Sequence, residues 1–204
     1  MPEMSIASEF VKGVISSDAH CASLRKQMRW QCMKKRTIMI FPKFENMEHI
    51  DKLRKKHDPL ENKVRPHITL VFPFESELSR GEILEIFERR LSEVEPFTIR
   101  LHGLSTAGRW LFLNLTQGAD DVTRIHEALY GCDFLEYKPV WLNKYTPHIT
   151  VGVFDSPEEA QIVCEAEKDF EHIFTCVVDR VSVEIIGCDE ESIIEAEYVF
   201  QTKE

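Results

Sequence analysis

The sequence lacks any apolar run of the length that a membrane-spanning helix needs, and its N-terminus lacks the basic, apolar and small-residue regions of a secretory signal. These absences argue against an integral membrane protein and against a secreted one, so we expect a cytoplasmic protein with no membrane partner. With 204 residues, of which 43% are hydrophobic, the chain can bury one substantial core.

Basic residues are outnumbered, since 25 Lys and Arg stand against 35 Asp and Glu, for a net charge of −10 at pH 7. An acidic surface repels a phosphate backbone over most of its area, so a long nucleic-acid tract is not an expected partner. A small nucleotide or the phosphodiester end of an RNA remains a suitable ligand, because one pocket can be positive on an acidic protein.

The six cysteines form no Cys-x-x-Cys pair and no short Cys/His cluster with the spacing of a zinc site. Reduced, buried thiols are favoured over a disulfide framework in a chain of this length. The sequence therefore predicts neither a metal ion nor another cofactor.

A pattern of strand, helix, strand, helix and strand begins near Arg36 and repeats in the second half of the chain. Helices are expected after the caps Asn46, Ser79 and Ser156, and before Gly131. The predicted strands are 37–41, 67–72, 97–101, 110–115, 148–153, 175–186 and 193–200.

This duplication predicts an α+β fold with two lobes, about 36–103 and about 104–204, related by a pseudo-twofold axis. Two antiparallel-rich sheets are expected to face a central groove, with the helices outside. Residues 1–32 precede the pattern, and we expect them to form an N-terminal extension outside a domain that spans 33–204.

Two nearly identical segments occupy equivalent strands of the two copies. They read Arg-Pro-His-Ile-Thr-Leu at 65–70 and Thr-Pro-His-Ile-Thr-Val at 146–151. The proline before each histidine suits the first residue of a strand, because proline cannot donate to a central ladder. We refer to these segments as the first and second motifs.

Strand residues alternate between the two faces of a sheet, so His67 and Thr69 point the same way, as do His148 and Thr150. An imidazole exchanges its proton near neutral pH, and a facing pair can supply both an acid and a base. In phosphodiester cleavage, one histidine would activate the attacking group and the other would protonate the leaving oxygen. The two threonine hydroxyls could hold the non-bridging phosphate oxygens.

A single His-x-Thr segment is more often structural than catalytic, but two copies at equivalent places favour a functional role. Metal binding by the two histidines is a weaker alternative, because a third ligand would have to come from a nearby carboxylate such as Glu75.

Three residues that precede the motifs could reach a phosphate or a base at the rim of the pocket: Arg65, Lys144 and Tyr145. Strand alternation places Phe72 on the core face, so we expect it to pack there. Gly152 follows Thr150 on the groove face, where the missing side chain would leave room for a ligand.

Paired Pro-His-Ile-Thr segments in the two halves of a duplicated α+β domain resemble the two-histidine (2H) phosphoesterase superfamily, which includes the bacterial 2′-5′ RNA ligase and cyclic phosphodiesterase family. The resemblance covers residues 36 to about 200. It is closest to a small Firmicute-type branch, through Ile-Phe-Pro at 40–42, Asp-Pro-Leu at 58–60 and the run from Pro66 to Phe74.

The resemblance implies that His67 and His148 are catalytic and that Thr69 and Thr150 bind the substrate phosphate. It implies a metal-independent hydrolase for 2′,3′-cyclic phosphates or 2′,5′-linked nucleotides, with reverse RNA ligation as a further activity. The alternative is a non-catalytic module that binds a phosphorylated nucleotide. A protein-interaction scaffold would leave the doubled motif unexplained.

Overall fold

The computed structural model describes residues 34–131 and 145–202, and the described residues from 35 onward belong to one compact unit. The expected N-terminal extension and Lys144 lie outside the described ranges. The strands are β1 Lys34–Ile40, β2 Ile68–Ser76, β3 Phe97–Ala107, β4 Trp110–Gln117, β5 His148–Val153, β6 Phe174–Val178, β7 Arg180–Ile186 and β8 Ser192–Val199. The helices are α1 Met47–His57, α2 Arg80–Leu91, α3 Ala119–Tyr130 and α4 Pro157–Ala166.

The strands form two antiparallel four-stranded sheets, which confirms the predicted α+β class. The first sheet has the order β2-β1-β7-β8, and the second has the order β5-β4-β3-β6. The first motif leads into β2 and the second into β5, so each motif belongs to an edge strand of its own sheet.

The sheets do not follow the expected division of the chain near residues 103 and 104. The first sheet combines β1 and β2 with β7 and β8 from the end of the chain, while the second uses the four strands between them. The expected strand at 175–186 is two strands, because the chain changes sheet at Asp179. The carbonyl of Asp179 accepts a hydrogen bond from the Phe200 N–H at 2.8 Å.

The core lies where the apolar sides of the strands meet the helices. Ile68 and Leu70 of β2, and Ile149 and Val151 of β5, are all fully buried, as the alternation of the motifs predicts. Helix α1 packs against β5, α2 against β8, α3 against β2, and α4 against β3 and β4. Each motif strand is thus backed by apolar packing while its polar side chains point the other way.

Both α1 and α2 begin after the predicted N-cap residues, but only α2 has a side-chain cap. The Ser79 hydroxyl accepts from the Glu82 N–H, and the Glu82 carboxylate accepts from the Ser79 N–H at 2.7 Å, which forms the predicted capping box. Asn46 is the N-cap residue of α1, as predicted, but its side chain makes no capping hydrogen bond, and its amide donates to the carbonyl of Ile173 at 3.0 Å. The predicted start of the helix is confirmed, and a tertiary contact stands in place of the side-chain cap.

Arg36 is a fully buried charge that ties three strands of the first sheet together. Its guanidinium donates to the Glu195 carboxylate of β8 at 2.6 and 3.0 Å. It also donates to the carbonyls of Ser76 and Leu78 at 2.7 and 2.8 Å, at the end of β2. The charge is thus both paired and hydrogen-bonded, and it holds the end of the first motif strand.

We predict that Arg36→Ala lowers the free energy of unfolding by about 3–5 kcal/mol, because the Glu195 carboxylate and two carbonyls lose their donor in a buried site. Urea denaturation measures the change. The matched control is Lys168→Ala, which removes an exposed ion pair to Glu165 and should change stability by less than about 1 kcal/mol. Equal effects of the two substitutions would contradict the role given to Arg36.

Candidate active site

The polar sides of β2 and β5 meet at a cleft. The two edge strands contact each other, and the cleft has a volume of about 850 Å³. Thr69 of β2 and both His148 and Thr150 of β5 line it, so three of the four motif side chains share one cavity. A cavity of this size is within the range of small-molecule sites.

The rest of the cleft wall comes mainly from β3 and β4, which sequence reasoning did not place at the site. Asn114 and Phe112 of β4 lie opposite His148 and Thr150 in the strand register. The Ser105 hydroxyl of β3 donates to the side-chain oxygen of Asn114 at 2.6 Å. Phe112 and Asn114 face the cleft because the buried Leu111 and Leu113 alternate with them, and Ser105 lies opposite Phe112 in the register of β3 and β4. The alternation is visible in the sequence, but the pairing of β4 with β5 is not.

Both motif histidines make the same contact with the backbone. Nδ1 of His67 lies 2.8 Å from the Arg65 carbonyl oxygen, and Nδ1 of His148 lies 2.7 Å from the Thr146 carbonyl oxygen. A carbonyl only accepts, so this contact places the proton of the neutral ring on Nδ1. The Nε2 lone pair of each histidine is then the one that can take up a proton.

The two imidazoles have different surroundings. His148 stacks on Phe112 of the neighbouring strand, with 3.7 Å between ring centroids, and it forms part of the cleft wall. His67 lies beside the cleft rather than in its wall, edge-on to Phe41 at a centroid distance of 6.0 Å. His67 is still part-buried and stands two residues before Thr69 on the same side of the chain.

Burial lowers the pKa of both histidines. Desolvation is the largest cause of the fall in the pKa of His67 from 6.5 to about 4, and the Arg54 guanidinium and His148 lower it further. The hydrogen bond to the Arg65 carbonyl acts in the opposite direction. Desolvation also lowers the pKa of His148, against the hydrogen bond to Thr146. Both rings are therefore neutral at pH 7, and a charge on one disfavours a charge on the other.

The predicted rim residues lie in different places. Tyr145 lines the cleft, but its hydroxyl donates to the Thr69 carbonyl oxygen at 2.8 Å. The Arg65 guanidinium carbon lies 4.5 Å from the centroid of the Phe41 ring, and Arg65 is not among the residues that line the cleft. Lys144 lies outside the described ranges.

Two expectations for residues that follow the motifs are wrong. Phe72 lines the cleft instead of the core, because Leu70 and Val71 are both fully buried and interrupt the alternation of β2. Gly152 does not leave room for a ligand. A Cβ there would lie 3.0 Å from the His57 Cβ and 3.0 Å from a ring carbon of Phe154, so this glycine admits the end of α1.

Two cysteine thiols in the described part of the chain do not line the cleft. Cys164 and Cys176 are free thiols, and burial raises the pKa of both. Within residues 34–131 and 145–202, no group of three or more His, Cys, Asp or Glu side chains is arranged to hold a metal ion. No helix in these ranges has the length and apolar character to cross a membrane.

The lowered pKa values of His67 and His148 predict how the two imidazoles titrate and how the stability of the protein depends on pH. In an NMR titration, the His67 imidazole should titrate near pH 4 and the His148 imidazole below pH 6.5. As pH falls, the unfolded chain takes up these protons at a higher pH than the folded protein does. The free energy of unfolding should therefore rise with pH between about 4 and 6.5. In a His148→Gln variant, the pKa of His67 should increase, since His148 is one of its depressing neighbours. A His67 that titrates at 6.5 or above would contradict this description.

Comparison with protein-family models finds a match to the 2′-5′ RNA ligase superfamily over residues 42–186. A protein of Bacillus licheniformis named "Putative phosphoesterase" is 28% identical over 149 residues, which is 70% of this chain and 85% of that protein. A protein of Geobacillus kaustophilus with the same designation is 30% identical over 119 residues, or 56% of this chain and 66% of its own length.

Solved structures of E. coli LigT have a similar fold. The complex of LigT with 3′-AMP has a TM-score of 0.57 at 18% identity and covers 83% of this chain and 99% of LigT. The complex of LigT with ATP has a TM-score of 0.56 at the same identity and coverage. The two-sheet architecture is therefore shared with LigT.

Proposed function

Because the chain belongs to the 2′-5′ RNA ligase superfamily of 2H phosphoesterases, we propose that it cleaves a small phosphodiester with His67 and His148 as its acid–base pair. The substrate class is a 2′,3′-cyclic phosphate or a 2′,5′-linked nucleotide. The observation that carries the proposal is the matched backbone contact of the two histidines, which leaves Nε2 of each ring available for proton transfer.

The reaction needs one neutral and one protonated imidazole. Nε2 of the neutral histidine takes a proton from water as the water oxygen bonds to phosphorus. The P–O bond to the leaving oxygen breaks, and this oxygen takes the proton of the second histidine, so a cyclic phosphate opens to a phosphomonoester. The bound phosphodiester is an anion, and its charge favours the protonated form of a neighbouring histidine despite the burial. Ligation would use a ribose 5′-hydroxyl in place of water: its oxygen bonds to the phosphorus of a 2′,3′-cyclic phosphate and gives its proton to the neutral histidine, while the P–O3′ bond breaks and O3′ takes the proton of the second histidine, which leaves a 2′,5′ linkage.

The threonines supply the second part of the site. Thr69 and Thr150 enter the cleft from opposite sheets, where their hydroxyls could donate to the two non-bridging oxygens of one phosphate. Hydrogen bonds of this kind strengthen as negative charge develops on the oxygens in the transition state.

The cleft walls suit a nucleoside attached to the phosphate. Phe72, Trp110 and Phe112 offer aromatic surface, and Trp110 is 45% exposed. Such rings can stack on a base, while the net charge of −10 disfavours a long nucleic-acid tract. The complexes of LigT with 3′-AMP and ATP support a nucleotide-sized ligand for this fold.

We predict that His67→Ala and His148→Ala each lower kcat by about 100-fold or more, because each removes a proton-transfer group. Conversion of 2′,3′-cyclic nucleotides and 2′,5′-linked dinucleotides, followed by chromatography, measures the loss. His102→Ala is the matched control, since His102 is 39% exposed and contacts Glu171 outside the cleft.

Two results would count against this proposal. Turnover at the wild-type rate by both motif variants would exclude the paired-histidine mechanism. Tight binding of a 2′,3′-cyclic nucleotide in calorimetry, without conversion over hours, would favour the non-catalytic binding module.

The pH dependence of kcat/KM provides a separate test. The value should reach its maximum between the two histidine pKa values, both of which lie below 6.5, and should fall at higher pH as the catalytic acid loses its proton. Initial rates from about pH 4 to 8 on one cyclic nucleotide measure the profile. A profile that keeps rising above pH 7 would contradict the assignment of the pair.

A further inference from the structure

Three side chains of the described residues make hydrogen bonds with the β2 backbone near Thr69. Peptide groups inside a protein need hydrogen-bond partners, and β2 is an edge strand in its sheet. The contacts are the Tyr145 hydroxyl to the Thr69 carbonyl at 2.8 Å, His126 Nδ1 to the Leu70 carbonyl at 2.7 Å, and the Phe72 N–H to the Tyr130 hydroxyl at 3.2 Å. We call these three side chains the β2 clamp.

The Tyr145 ring is itself held in place. It stacks on His126 with 3.8 Å between ring centroids and an angle of 4° between the planes. His126 is fully buried on α3, so the tyrosine ring rests on a rigid support. Burial raises the pKa of the Tyr145 hydroxyl, so the hydroxyl is protonated and able to donate at neutral pH.

The position of Tyr145 along the chain makes its contact different from the other two. It stands three residues before His148, at the entry to the second motif, while its hydroxyl reaches the backbone of Thr69 in the first motif. The pair is 76 residues apart in the chain. One hydrogen bond thus links the segment that carries His148 to the residue that would hold the phosphate.

We infer that Tyr145 is a positioning residue that sets the distance of Thr69 from His148 across the cleft. The inference rests on the proposed function, because it gives Thr69 the phosphate. The tyrosine hydroxyl gives its one proton to the Thr69 carbonyl, so it cannot donate to a substrate phosphate at the same time and acts on the phosphate site through Thr69. Misplacement of a reacting group by about 1 Å can reduce a rate by about 100-fold, so a partial loss of this restraint should be measurable.

The direct test is Tyr145→Phe, which keeps the ring and its stack on His126 and removes only the hydroxyl. We expect kcat/KM for a 2′,3′-cyclic nucleotide to fall by about 10-fold. Thr69→Val should reduce it at least as much. In the Thr69→Val background, Tyr145→Phe should add less than about a twofold loss, because its effect passes through the threonine that is already gone.

The matched control is Tyr130→Phe, which removes the other tyrosine hydroxyl of the β2 clamp. Its partner is Phe72, three residues beyond Thr69, so we expect a loss in kcat/KM of less than about threefold. Equal losses for the two tyrosine variants would show a general loosening of β2 and overturn the inference. Full additivity of Tyr145→Phe with Thr69→Val would also overturn it.

Phosphate-binding measurements test this inference independently of the proposed activity. Inorganic phosphate is titrated into the wild type, Tyr145→Phe, Thr69→Val and the double variant, and the backbone amide at position 69 and the His148 imidazole are followed by NMR. We expect Tyr145→Phe to weaken phosphate binding by about 10-fold in the wild type and by less than twofold beside Thr69→Val. If the phosphate affinities change in this way but no nucleotide is turned over, the proposed activity is refuted and the role of Tyr145 stands. If nucleotides are turned over but the wild type and Tyr145→Phe bind phosphate equally well, the role of Tyr145 is refuted and the proposed activity stands.

Discussion

The contact of two edge strands from different sheets is the constraint on which the rest of the site depends. β2 and β5 end their sheets, and the cleft forms where their polar sides meet. Their relative placement must come from side chains on either side. The buried Arg36 holds the end of β2 through Ser76 and Leu78, and the β2 clamp holds its middle. Contacts at two points along β2 therefore restrain the first motif strand.

The two copies of the repeated unit carry the same histidine and threonine, but the residues around the two histidines differ. Each histidine directs Nδ1 to the carbonyl two residues before it, so both rings have the same tautomer for the same local reason. Their neighbours differ, since His148 stacks on Phe112 inside the cleft and His67 lies beside Phe41 at its margin. Because a charge on one ring disfavours a charge on the other, the pair is suited to carrying one proton between two unlike positions.

Sequence reasoning succeeded where the physics is local. The alternation of the motifs predicted that Ile68 and Ile149 would be buried while the histidines and threonines point away, and the capping box at Ser79 formed as expected. It failed where an irregularity or a distant neighbour intervenes. Two consecutive buried residues moved Phe72 into the cleft, and the approach of His57 accounts for Gly152.

The sequence by itself determined the residue types of the candidate site and the strands that carry them, because these depend on spacings of two residues. Only the tertiary structure decided which strands share a sheet, which wall residues join the motifs and what the Tyr145 hydroxyl contacts. Those features depend on pairs such as Tyr145 with Thr69 and Arg36 with Glu195, which are 76 and 159 residues apart. Periodicity describes how one strand presents its side chains, but it carries no information about which distant segment lies against it.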